Sequence, residues 1–205
     1  MKNIFVYGDS NTWGYFPTLT PYSGDDNNTK RFPLDKIWWN SLTKKYNVYY
    51  NGVNGRTINS DHYELPNRNA CKTIDNDFVN ENIDLVILML GTNDLKDIYN
   101  LKVNDLINHC DLLIKKIKNR YQCDILLICP PLIYDTIVTH EKYSNGINKI
   151  KEYEKCLFKY TQSNNYYFVS GINAEVGVDG EHLTEKGHNE LGQIVLEKVN
   201  EIFKR

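Results

Sequence analysis

Leu85-Val86-Ile87-Leu88-Met89-Leu90, closed by Gly91-Thr92-Asn93-Asp94, is the stretch that decides the fold. An apolar run without polar alternation is the mark of a strand covered on both faces, and such strands belong to parallel sheets. Toward the N-terminus, Ile4-Phe5-Val6-Tyr7 reads as a second buried strand and breaks at Gly8-Asp9-Ser10. Val48 to Tyr50 reads as another. It runs into Asn51-Gly52-Val53-Asn54-Gly55-Arg56-Thr57, where glycine and asparagine force a tight loop. Asp124 to Cys129, stopped by Pro130-Pro131, and Tyr166 to Val169 supply the remaining strands.

Helical spacing fills the intervals. Helices are predicted from Leu34 to Lys45, Cys71 to Asn82, Val103 to Tyr121 and Ile147 to Thr161, and from Glu185 onward behind Thr184 as N-cap. Strands alternating with helices imply right-handed crossovers and a parallel sheet with helices on both faces. The expected fold is α/β, a three-layer α/β/α sandwich around a five-stranded parallel sheet. No linker composition or internal repeat divides the chain, so one domain over residues 1–205 is expected.

Hydrophobic residues at 41% and charged residues at 24% are ordinary for a soluble globular protein. A net charge of −2 leaves no basic footprint for nucleic acid. No apolar window reaches membrane-spanning length. The first strand begins after a single lysine, which leaves no room for a leader and makes a cytoplasmic location the expectation. The five cysteines are scattered without CxxC spacing, so neither a zinc nor a redox motif is indicated, and Cys129 reads as a small buried hydrophobe.

Parallel strands point one way, so the polar turns after them share one rim. Ser10 offers a hydroxyl there. His182 is the natural base, and Asp179, three residues earlier across Gly180, can hold its imidazole. Asn93 through its side-chain amide, with the backbone N–H groups of Ser10 and Gly55, can donate to a developing oxyanion. Each residue alone has a plainer reading. Ser10 suits a helix cap or turn, His182 a capping residue, and Asp179-x-x-His182 a pair of metal ligands, though no further His or Cys cluster supports a metal. Asp9 and Asp94 read as structural acceptors of loop N–H groups. His188 falls within the last helix and should point away, while His62, His109 and His140 have no matching acid nearby in sequence. Convergence on one rim favours the chemical reading.

In order and spacing, Gly8-Asp9-Ser10, Gly55 within Asn54-Gly55-Arg56-Thr57, Gly91-Thr92-Asn93-Asp94 and Asp179-x-x-His182 resemble four blocks of the SGNH family, also called GDSL-type esterases and lipases. Together these blocks span nearly the whole chain. No G-x-S-x-G elbow is present, which separates the chain from ordinary α/β-hydrolases. The resemblance implies a flavodoxin-like sandwich that hydrolyses acyl esters, and the wording is closest to the arylesterase and acyltransferase branch, whose members often oligomerise. Asn11 departs from the family's motif, which has leucine there. Gly52 is a second candidate donor, but Gly55 fits the block spacing better.

The expectation is therefore a serine esterase of short-chain acyl or aryl esters, with Ser10, Asp179 and His182 catalytic and Ser10, Gly55 and Asn93 forming the oxyanion hole. It needs no cofactor and no metal. Asn11, Trp13, Asn54, Arg56 and Tyr134 are the expected pocket residues. Asn11, Asn54 and Arg56 would suit a sugar, which keeps a carbohydrate O-acetylesterase open; Trp13, Tyr15 and Tyr134 would suit an aryl group. A catalytically silent binding protein using the same rim is the third reading. The loops over residues 15–33 and 131–146 are expected to frame the pocket or an oligomer contact. The expected partners are a small-molecule ester and a homo-oligomer, with no nucleic acid and no membrane.

Overall fold

A computed structural model describes residues 1–20 and 30–204 of the chain. Of the long surface loop predicted before Pro33, the segment Tyr22 to Asn28 lies outside the described residues. Five parallel strands form one sheet: β1 (Asn3–Gly8), β2 (Asn47–Gly52), β3 (Leu85–Met89), β4 (Asp124–Cys129) and β5 (Tyr167–Ser170), in the order β2-β1-β3-β4-β5. All five residues of β3 are buried, as its unbroken apolar run predicts for a central strand.

The pleat divides the core in two. Phe5, Tyr7, Val86, Leu88, Ile125 and Leu127 face α2 (Ala70–Asp77), α3 (Val103–Arg120) and α4 (Gly146–Asn164), meeting Ile74, Leu113 and Ile150 there. Ile4, Val6, Leu85, Ile87, Leu126 and Ile128 face Leu191, Val195 and Val199 of α5 (Glu185–Phe203), together with Trp38 and Leu42. Each fully buried aliphatic side chain contributes about 1.5–3 kcal/mol relative to exposure. The result is the three-layer sandwich of flavodoxin-like type.

Two predicted helices are corrected. Leu34 to Lys45 is not α-helical. It forms two 3-10 segments, Leu34–Lys36 and Trp38–Lys44, separated by extended Ile37. Trp38, Trp39 and Leu42 are all buried on the α5 face of the core, Trp39 donating from its indole to Thr12 O at 2.8 Å. The second helix is shorter than predicted. Asn69 caps its start by accepting from Lys72 N–H, and Phe78 leaves it in extended conformation to pack edge-on against Tyr121. Thr184 caps α5 through a bond from Gly187 N–H at 3.0 Å, as predicted.

Register sets the position of the site. Gly8 of β1 lies beside Gly52 of β2 and Met89 of β3, so three strands end level and their following turns leave from one edge. The chain order reverses around β1, the crevice where open α/β sheets bind ligands. No helix among the described residues is long and apolar enough to cross a membrane. All five cysteines are free thiols, with Cys129 fully buried as predicted.

Candidate active site

The turn after β1 builds the floor of the site. Asp9 Oδ1 accepts Asn11 N–H at 3.0 Å and so caps a single helical turn, α1 (Ser10–Trp13), which Gly14 closes by donating to Ser10 O. Ser10 is thereby held at the first helical position, at the carboxyl end of an inner strand.

The second part arrives from the loop before α5. Gly180 adopts φ +81°, a left-handed conformation open to glycine, and this folds Asp179 back toward His182. Asp179 Oδ1 accepts the N–H groups of Glu181 and His182 at 3.2 and 3.1 Å, while Oδ2 lies 2.8 Å from His182 Nδ1. Thr136 Oγ1 donates to Asp179 O and Tyr134 N–H to Gly180 O, so the loop is held from behind. His182 Nε2 then sits 2.8 Å from Ser10 Oγ. One continuous hydrogen-bonded chain joins hydroxyl, imidazole and carboxylate.

Gly55 and Asn93 complete the constellation. Both line a cleft of about 520 Å³ together with Ser10 and His182. Gly55 has φ +76°, and Asn93 is fixed by donating from Nδ2 to Arg56 O at 3.1 Å. Gly52, the other candidate, remains in β2, where a Cβ would meet Trp13 N at 2.3 Å.

Burial works against charge on His182, yet its pKa is raised overall. The hydrogen bond to Asp179 and the charges of Glu181, Asp179 and Asp9 outweigh desolvation. Burial would likewise raise Glu181, but His182, Lys142, Lys96 and the Tyr143 hydroxyl hold it down to about 2. Asp9 is pushed up to about 6 and Asp94 to about 7, in both cases chiefly by burial. Both oxygens of Asp94 accept Ile58 N–H at 2.9 Å, a structural role like that of Asp9.

Of the expected pocket residues, the structure places Asn54 alone on the cleft. Asn11 is buried behind it: Nδ2 donates to Glu181 O at 3.1 Å and Oδ1 accepts Leu183 N–H at 2.9 Å. It therefore clamps the backbone on either side of His182. Trp13 is buried under the Arg31 guanidinium, 4.9 Å from its ring. Arg56 is 1% exposed and turns its two Nη groups to Gly8 O, Asn51 and Asp77, with the guanidinium 4.0 Å from the Tyr7 ring. Tyr134 is 44% exposed and borders a separate groove with His140 and Tyr143. His188 is fully buried edge-on to Phe32, away from the cleft.

Tyr15, read from the sequence as suited to an aryl group, does line the cleft, while sequence reasoning missed the other lining residues: His62, Tyr63, Glu64, Leu65, Lys96, Lys142 and Glu181. Tyr15 packs 4.6 Å from the His182 ring. Residues 58–70 carry no periodicity, so His62 to Leu65 left no signal. Lys96 and Glu181 stood beside recognised motifs and could have been flagged by that adjacency. Among the described residues, no group of three or more His, Cys, Asp or Glu is placed to hold a metal ion.

A family model described as GDSL-like lipase/acylhydrolase matches residues 4–195. Among solved structures, a carbohydrate acetylesterase from Sinorhizobium meliloti superposes with TM-score 0.86 at 22% identity, covering 98% of this chain and 100% of that one. The native aryl esterase of M. smegmatis gives 0.84 at 25% identity, covering 98% and 99%. A lipase/acylhydrolase from Enterococcus faecalis gives 0.71 at 20% identity, covering 98% and 96%. No curated protein matches. The match over nearly the whole length, on a sandwich whose strand ends gather those four motifs, makes this chain a member of the GDSL-like lipase/acylhydrolase family and an ester-hydrolysing enzyme.

Proposed function

We propose that the chain is a serine esterase of small carboxylic esters, acting through an acyl-enzyme on Ser10. The observation that carries this reading is the Ser10–His182–Asp179 chain, with 2.8 Å at each link, at the floor of an open cleft. Ser10 Oγ attacks the ester carbonyl carbon while His182 Nε2 takes its proton. Asp179 holds the proton of Nδ1, which keeps Nε2 free as acceptor, and it stabilises the imidazolium that forms. The tetrahedral oxyanion is met by the N–H groups of Ser10 and Gly55 and by the second amide hydrogen of Asn93, the first being held by Arg56 O. Collapse expels the alcohol, protonated by His182. Water, deprotonated by the same imidazole, then releases the acid and restores Ser10.

Labelling provides the direct test. A fluorophosphonate probe is expected to add once, on Ser10, and prior acylation by p-nitrophenyl acetate should slow the labelling. An intact, folded protein that takes up no probe would instead be a binding protein on the same rim.

A carbohydrate O-acetylesterase is supported by the polar lining, since Asn54, Tyr63, Glu64 and Lys142 could all bond hydroxyl groups. Rates on acetylated sugars compared with aryl esters separate the two readings.

The pH profile should carry the field of Glu181. His182 must be neutral to act as base, so kcat/KM falls as pH drops through its raised pKa. The carboxylate of Glu181 favours the imidazolium, so Glu181→Gln removes a raising influence. The acid limb of kcat/KM is expected to move to lower pH. A limb that stays in place or moves upward would contradict the assignment of His182.

A further inference from the structure

The cleft holding Ser10 and His182 also gathers charge that ester hydrolysis does not use. Lys96, Lys142 and Glu181 line it. Glu181 is fully engaged, with Oε1 3.1 Å from Lys142 Nζ and Oε2 accepting the Tyr143 hydroxyl at 2.7 Å. That pair is neutral as a unit. Lys96 is left over. No carboxylate among the described residues lies within ion-pairing distance of its ammonium, which feels Glu181, Asp9 and Asp94 only from farther away. Lys96 is half-buried at the cleft, and that burial, only partly offset by the more distant charge of Glu181, lowers its pKa.

His62 supplies a neutral donor beside it. Its Nδ1 accepts the N–H groups of Glu64 and Leu65 at 3.1 and 3.0 Å, which places the proton of the neutral ring on Nε2. Burial, with Lys96 and Arg68 nearby, brings its pKa down to about 4, so the ring is uncharged at neutral pH. The ring stands over Gly55, where a Cβ would come within 3.3 Å of Nε2. A lone ammonium and a committed N–H donor thus border the cleft on which an ester must sit.

We propose that the cleft selects esters carrying a carboxylate, on either the acyl or the alcohol half, with Lys96 as the cation that binds it and His62 Nε2–H as a supporting donor. The proposal rests on the reading of Ser10 and His182 as the hydrolytic pair. A bound carboxylate supplies the partner that Lys96 lacks, and charge-assisted bonds in such surroundings discriminate by about ten- to a hundredfold. Lysine also recognises the anion as a point charge, so it accepts carboxylates in several orientations.

Two matched pairs test this. The alcohol arm compares p-acetoxybenzoate with p-acetoxybenzamide; the acyl arm compares p-nitrophenyl hydrogen adipate with p-nitrophenyl heptanoate. In at least one arm the wild-type enzyme is expected to favour the anion by about tenfold or more in kcat/KM, mainly through KM. Lys96→Met should bring that ratio close to one, and Lys96→Arg should keep most of it. The arm that shows the preference identifies the half of the ester that carries the charge. Neutral esters hydrolysed with no anionic preference in either arm, or a preference that survives Lys96→Met, would overturn the proposal while leaving the esterase reading intact. A folded wild-type protein inert toward every ester, p-nitrophenyl acetate included, would overturn both.

Discussion

Ser10→Ala is expected to lower kcat for p-nitrophenyl acetate by on the order of 10⁴–10⁶, with KM little changed. The substitution deletes one buried oxygen and one hydrogen bond, that to His182 Nε2, so the fold should lose no more than about 1 kcal/mol. What disappears is the covalent route. The backbone N–H groups of Ser10 and Gly55 and the Asn93 amide survive the change, and they leave a residual rate above that in water. Asp179→Asn should cost on the order of 10⁴, because an amide facing Nδ1 favours the tautomer that places the proton on Nε2, where the acceptor is needed. Adding His182→Ala to Ser10→Ala should cost almost nothing further, since the two act as one unit. Steady-state rates of the three variants against the parent decide the matter. A Ser10→Ala protein within tenfold of the parent would remove Ser10 as nucleophile.

The fold was legible because its signals are local. The run from Leu85 to Leu90 can be satisfied only by cover on both faces, and β3 lies at the centre of the sheet. Parallel strands then dictate a shared rim, so Ser10, Asn93 and Gly55 could be placed together before any contact was known. The walls of the cleft were less legible, because they depend on where side chains leave irregular backbone. Arginine and asparagine at a rim read as solvent-facing residues. Here Arg56 and Asn11 are drawn inward by carbonyl and N–H groups that the strand ends leave unpaired. His62 gave the opposite error: it stands in a stretch without periodicity and no acid there matched it as a catalytic partner, yet it accepts two backbone N–H groups that hold its ring at the cleft. The 3-10 geometry of Trp38–Lys44 escaped for a related reason, since its apolar spacing fits a helix of either pitch.

Arg56→Met is expected to destabilise the protein by about 3–5 kcal/mol, the range for breaking a buried charged contact from one side. The methionine nearly fills the volume but carries no donor. Gly8 O and Asn51 O, which Nη1 reaches at 3.0 and 2.9 Å, would lose that donor in the interior. Asn51 Oδ1 and Asp77 Oδ2 would lose Nη2 at 2.8 and 3.2 Å. The stacking of the guanidinium 4.0 Å from Tyr7 is lost as well. Arg56→Lys should fall between the two, because an ammonium keeps the charge but cannot span carbonyls and carboxylate with a planar fork. Urea denaturation at neutral pH measures both, and a loss below about 1 kcal/mol for Arg56→Met would contradict this role. The same pair of variants separates a structural Arg56 from one that binds substrate. A substrate contact would raise KM and leave stability unchanged. The observed network predicts the reverse, with one kinetic trace: Arg56 O anchors the Asn93 amide, so any strain that reaches the site should lower kcat before it alters KM.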